Sequence, residues 1–131
     1  MLATETGDHC WIATVAHGQA RLAAARGDAA GALGWCRTGL RPQPWYLWPR
    51  ARLLDAGCEL AALPSPAEAG RWAAELAEIA GRGAMQELTV RALAHRARLG
   101  DRRAAVAAPS AALDVDNPAL HRLLAPEGVV A

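Results

Sequence analysis

The chain has 131 residues, a formal net charge of +1 and 53% hydrophobic residues. That length allows one domain with a real core and no disulfide or metal staples, and the near-neutral balance excludes a global field that would draw in nucleic acid or an acidic membrane. About a quarter of the residues are Ala, Phe is absent and five Trp supply bulk, a composition for close-packed helices, so the expected fold class is all-α.

All fourteen basic side chains are Arg, with no Lys; on solvated surfaces the two serve alike, so this reads as the codon bias of a GC-rich genome. The first twenty residues hold no Lys or Arg and no apolar signal region, and no run approaches the roughly 18 apolar residues that span a bilayer. A soluble, cytoplasmic protein is expected. Cys10, Cys36 and Cys58 are odd in number and widely spaced, which suits reduced thiols acting as small buried hydrophobes.

Residues 1–8 are expected to be loose. A helical-repeat domain is then expected over 9–125, with a flexible tail over 126–131. In "RLAAARGDAAGAL" (residues 21–33) Gly27 ends one helix in a left-handed turn and Asp28 caps the next. The corner recurs at Gly100 and Asp101 in "HRARLGDRRAAV". Between them, in "PSPAE", Ser65 takes the cap position, Pro66 the first helical position and Glu68 the far side of a capping box. The caps Asp28, Ser65 and Asp101 are 37 and 36 residues apart, a spacing that predicts helical hairpins repeated along a solenoid. First helices are predicted over 9–26, 44–62 and 84–99, and second helices over 28–40, 65–81 and 101–113.

In the middle second helix Ala69, Trp72, Ala73, Leu76, Ile79 and Ala80 recur at spacings of three and four, leaving Arg71, Glu75, Glu78 and Arg82 outside as i,i+4 ion pairs. Small residues before and after the corners (Ala20 and Gly57; Ala32, Ala69 and Ala105) mark the expected close helix crossings.

The Gly-Asp corner, the Ala four residues later and Pro44 opening the next unit resemble a degenerate tetratricopeptide repeat. "PWYLWPRARLLDAGCELA", "RWAAELAEIAGRGAMQELTVRALAHRARLGD" and "DVDNPALHRLL" together resemble the C-terminal helical-repeat region of actinobacterial ATP-dependent transcriptional regulators of the LuxR/MalT-like and AfsR-like kinds, and of ATPases fused to cyclase domains. The resemblance covers most of residues 10–124. It implies a regulatory interaction or sensing segment, normally joined to a P-loop ATPase and a DNA-binding or cyclase domain. A P-loop needs a Lys to reach the phosphates, and this chain has none. ATP hydrolysis is therefore not carried over.

Two stretches carry candidate sites. "WYLWP" places Trp45, Tyr46 and Trp48 within four residues, more aromatics than one helix face buries. Either Leu47 and Trp48 pack between hairpins while Trp45 and Tyr46 cover the preceding corner, or the cluster is an aromatic anchor for a peptide. Pro49 sits in the first turn of a helix beginning near Trp48, or kinks one beginning at Pro44. The second candidate is the row Arg91, His95, Arg98 and Arg102, a basic stripe unless it is a solvated face paired to residues such as Glu87. No aromatics interleave with these Arg residues, so direct nucleic-acid binding is not expected.

His9 and Cys10 are adjacent rather than one helical turn apart, and His17, His95 and His121 lie far apart, so no metal set emerges. Nothing local places a His against a nucleophile, which leaves only remote pairs such as Cys58 and His95, so no catalysis is expected. Pro109 interrupts the last predicted second helix. In "DVDNPALHRLL", Asn117 and Pro118 begin a short capping helix that lays Leu120, Leu123 and Leu124 on the last hairpin.

The sequence thus predicts a right-handed array of three helical hairpins with a C-terminal capping helix, a non-catalytic interaction or regulatory module with no cofactor. Its partner would be a protein or peptide, or an ATPase domain, held on the face of the first helices by Trp45, Trp48, Arg91 and His95. The alternative is an effector domain with a small-molecule pocket between hairpins lined by Trp11, Trp35 or Trp48.

Overall fold

The structure, a computed structural model, describes residues 9–41, 47–113, 115 and 117, with side chains from residue 12 onward. Within these residues the chain is all-helical, with α1 (His9–Ala25), α2 (Ala29–Leu40), α3 (Leu47–Ala61), α4 (Pro66–Arg82), α5 (Gln86–Arg98) and α6 (Arg102–Ala112), and no strand. None of these helices is long and apolar enough to cross a membrane. Trp45, Tyr46 and the capping helix expected beyond Asn117 lie outside the described residues.

The helix boundaries follow from the corners. Gly27 (φ 79°) and Gly100 (φ 99°) are left-handed, and the same two bonds close each corner. The Asp28 N–H donates to Ala23 O (2.9 Å) and Gly27 to Ala24 O (3.0 Å); Asp101 donates to Arg96 O (3.0 Å) and Gly100 to Ala97 O (3.0 Å). These bonds satisfy carbonyls that a helix end would leave bare. Asp28 and Asp101 then cap α2 and α6, accepting from the Gly31 N–H at 2.8 Å and the Ala104 N–H at 3.1 Å.

A third copy of this corner joins α4 to α5, where Met85 donates to Ala80 O and Ala84 holds the left-handed place at φ 54°. The helix expected from residue 84 therefore starts at Gln86, after this corner. The Ser65 corner also departs from expectation: Ser65 makes no side-chain cap bond. Its own N–H is already given to Ala61 O at 2.9 Å, so Glu68 has no amide to accept there and reaches Arg37 of α2 instead, through contacts of 2.7 and 3.1 Å.

Pro49 falls in the first turn of α3, where its missing N–H costs nothing. Pro109 lies inside α6, which continues through it; it sits on the exposed face, where solvent can take the Ala105 carbonyl that the missing N–H leaves.

Each helix packs on its chain neighbours, and α3 packs in addition on both α1 and α5. The first helices of the three units therefore lie side by side. Ala supplies most of the buried apolar positions, around Leu53, Leu54, Leu76 and Ile79. At Gly39 a Cβ would lie 2.5 Å from both Ala16 Cβ and Leu53 Cδ2, and at Gly57 it would lie 2.8 Å from the Trp72 ring. Ala20, Ala32 and Ala69 are fully buried, as their spacing predicts, whereas in the last unit the buried position is Ala104 and Ala105 is exposed.

Of the ion pairs expected within α4, Glu78–Arg82 forms at 3.7 Å. Glu75 instead takes Arg50 of α3, which also donates through Nη1 to Leu40 O at 2.9 Å. Arg50 thus ties the last carbonyl of α2 to α3 and α4. Cys36 and Cys58 are buried free thiols. Burial, aided by the charges of Glu68 and Asp55 respectively, pushes them up to about 11 and about 12, which keeps them unreactive near neutral pH.

Gly39→Ala should destabilise the fold by about 1–2 kcal/mol, the overpacking cost exceeding the helix-propensity gain. Gly70→Ala, which meets nothing within 4 Å, should stabilise it by about 0.5–1 kcal/mol. Urea denaturation of the two variants checks the contrast; equal signs would contradict the close approach. Ala84→Gly should raise stability by about 0.5–1 kcal/mol, since a left-handed Ala costs more than the extra freedom of unfolded Gly. An unchanged melting temperature would remove Ala84 from that turn.

Candidate functional site

A cleft of about 440 Å³ opens where the first helices lie together. Its walls are His17 and Arg21 from α1, Trp48, Arg52, Asp55, Ala56 and Glu59 from α3, and Met85, Gln86, Glu87, Leu88 and Arg91 at and just before the start of α5. Helical spacing explains the lining. His17 and Arg21, Trp48 and Arg52, Asp55 and Glu59, and Glu87 and Arg91 are all i,i+4 pairs, so each helix turns successive side chains to one face.

Trp48 does not pack between units. Leu47 does, against the core, while Trp48 is 54% exposed with the Arg52 guanidinium 5.8 Å from its ring centroid. The arrangement is a cation–π pair at the cleft edge. Trp35, another aromatic expected to line a pocket, packs against the core instead; the Trp11 and Trp45 side chains lie outside the description.

The α5 side is held by a charge network. His95 is only 3% exposed, and its Nε2 lies 2.6 Å from Asp55 Oδ1. Arg91 Nη1 is 3.6 Å from Asp55 Oδ2, and its Nε is 3.4 Å from Glu87 Oε1. The Asn117 amide also donates to Glu87 Oε1, at 2.8 Å. His95 therefore stands behind the wall, fixing Asp55, while Arg91 faces the cleft already paired. This breaks the basic stripe expected along Arg91, His95, Arg98 and Arg102. Arg91 joins α5 to α3, His95 is interior, and Arg102 opens α6 beyond the Gly100 corner. Arg96 pairs with Asp101 at 2.9 Å.

The α1 side differs. Arg21 and Arg52 are exposed, and neither forms an ion pair with a carboxylate among the described residues. His17 lies with them. Burial first, then the positive charges of Arg52 and Arg21, hold its pKa below the ordinary histidine value, against a smaller opposing pull from Asp55. His17 is thus a neutral hydrogen-bonding group at neutral pH.

Of the four residues expected to hold a partner, Trp48 and Arg91 line the cleft and His95 supports it. Sequence reasoning missed His17, Arg21, Arg52 and Asp55. The signal available was their i,i+4 placement on predicted first helices, which becomes informative once those helices are known to lie side by side. Among the described residues no group of three or more His, Cys, Asp or Glu converges as a metal-binding set. Comparison of the chain with protein-family models, curated proteins and solved structures gives no match.

Because the folded pKa of His17 lies below 6.5, the unfolded chain binds more protons between those two values, so stability rises with pH across that window and is lost as pH falls. His17→Gln should flatten the decline in urea midpoint just below pH 6.5. The lowered carboxyls of Glu68, held chiefly by its bond from Arg37, and Asp101, held chiefly by the Ala104 N–H, act in the same direction from about 4.5 and 3.8 downward. An unaltered slope near pH 6 in the variant would show that His17 is not held neutral.

Proposed function

We propose that this chain is a non-catalytic interaction module, a right-handed array of tetratricopeptide-like helical hairpins that docks a peptide or a partner domain along its first helices. The observation that carries this reading is the composition of the cleft. Every lining residue belongs to α1, to α3, or to α5 and the Met85 that caps it, so the three first helices contribute one continuous surface while α2, α4 and α6 contribute none. A row of first helices is the concave, extended surface that helical solenoids use for recognition.

The chemistry of the walls fits the same role. An exposed Trp beside Arg is the residue pairing that anchors interfaces. The Arg91, Asp55 and His95 network is already formed, so binding spends little ordering on that wall. By its resemblance, the module is the sensing arm of an ATP-dependent transcriptional regulator, with the ATPase supplied by another segment or another chain.

Selection of a random displayed-peptide library on the immobilised chain tests the reading. Selected peptides should lose about tenfold or more in affinity against Trp48→Ala, the usual scale for an aromatic anchor, while the variant keeps its helical circular dichroism. Recovery of peptides indifferent to Trp48→Ala and Arg91→Ala would place recognition elsewhere, and recovery of none would refute peptide docking.

A further inference from the structure

Three arginines line the cleft, but they are not equivalent. Arg91 is neutralised in place by Asp55 and Glu87. Arg52 is engaged through its face with Trp48, which leaves its N–H edges uncommitted to any carboxylate among the described residues, and Arg21 likewise has no carboxylate partner there. His17 stands on the same stripe of α1 as Arg21, one turn before it, and opens into the same space. The α1 side of the cleft therefore offers two guanidiniums and an imidazole, beside an exposed indole.

We propose that His17, Arg21 and Arg52 form a subsite for a phosphorylated side chain of the docked peptide. The inference rests on the peptide-docking reading above and adds the chemistry of one position. A phosphate monoester carries close to two negative charges at neutral pH and three acceptor oxygens. Two guanidiniums without a carboxylate partner among the described residues attract that charge, and planar N–H forks match the oxygens. A carboxylate brings one charge and two oxygens, and so fills fewer of the N–H positions that the two guanidinium forks present. That both guanidiniums are close enough to depress the titration of His17 agrees with a shared positive corner. Asp55, though near, has both oxygens directed to His95 and Arg91. Glu59 is the one lining carboxylate without a partner named in this network, and it opposes an anion.

The test uses the full chain and three fluorescein-labelled nonapeptide libraries, identical except for phosphoserine, serine or glutamate at the centre, read by anisotropy. The phosphoserine library should bind about tenfold tighter than the serine library, the scale of charge-assisted bonds from two arginines in a partly exposed site. Arg21→Gln and Arg52→Gln should each bring the ratio of phosphoserine to serine affinity most of the way toward one, and Glu59→Gln should increase it. Arg52→Glu should reverse it, so that the serine library binds better, an outcome that misfolding does not produce. Equal binding of the three libraries, equal binding of glutamate and phosphoserine, or indifference to the arginine variants would overturn the subsite. If peptides bind at Trp48 without a phosphate preference, the subsite fails and the docking reading stands; if no peptide binds, both fail. Adenosine monophosphate displacing the phosphopeptide at concentrations below the peptide's own dissociation constant would overturn it in favour of a free phosphate ester.

Discussion

The closeness of α1, α2 and α3 at Gly39 is the constraint on which the rest of the structure depends. A core made mostly of Ala gains little apolar burial per side chain, so it must gain by near-contact of backbones and dense packing. Gly39 has no room for even one added methyl between Ala16 and Leu53, and Gly57 has none beneath the Trp72 ring. The Gly39 contact holds α1 and α3 together against α2, the Gly57 contact seats α4 on α3, and the α3 to α5 packing continues the row. Without that spacing the walls of the cleft would not face one space.

Polar ties on the partly exposed side of the helices keep this thin core in register. Arg50 links the end of α2 to α3 and α4, and Arg37 joins α2 to Glu68 of α4. The Asp55 cluster does the corresponding work between α3 and α5. Exposed pairs contribute modestly, but Arg50 is largely buried and also satisfies a helix-terminal carbonyl, so its loss would strand two groups at once. The same networks divide the cleft electrostatically: Arg91 is paired with Asp55 and Glu87, whereas Arg21 and Arg52 have no carboxylate partner among the described residues.

Much of the fold was legible because its signals are local. Left-handed Gly27 and Gly100, the caps Asp28 and Asp101, and Pro66 at a first helical position each act within a few residues, and they set helix boundaries. Where a local signal competed with a distant partner, reading the sequence erred. Glu68 looked like half of a capping box but pairs with Arg37, and Glu75 looked like an α4 surface pair but takes Arg50. Ala84 was missed as a left-handed residue because the bonds around it, its own N–H to Gly81 O and that of Met85 to Ala80 O, rather than its own preference, hold it there.

The candidate site was legible only in part, for the same reason. Trp48 and Arg91 stood out by residue type, yet whether a Trp is core or surface depends on which helix covers it, and Leu47 proved to be the buried neighbour. His95 read as one more basic group on a stripe, and only the packing of α5 on α3 turns it inward to Asp55. By itself the sequence determined the helical class and the corners at Gly27 and Gly100, since these follow from backbone preferences and short-range caps. Tertiary structure alone decided which side chains share the cleft and which of its arginines pair with carboxylates among the described residues, because those depend on residues tens of positions apart meeting across helices.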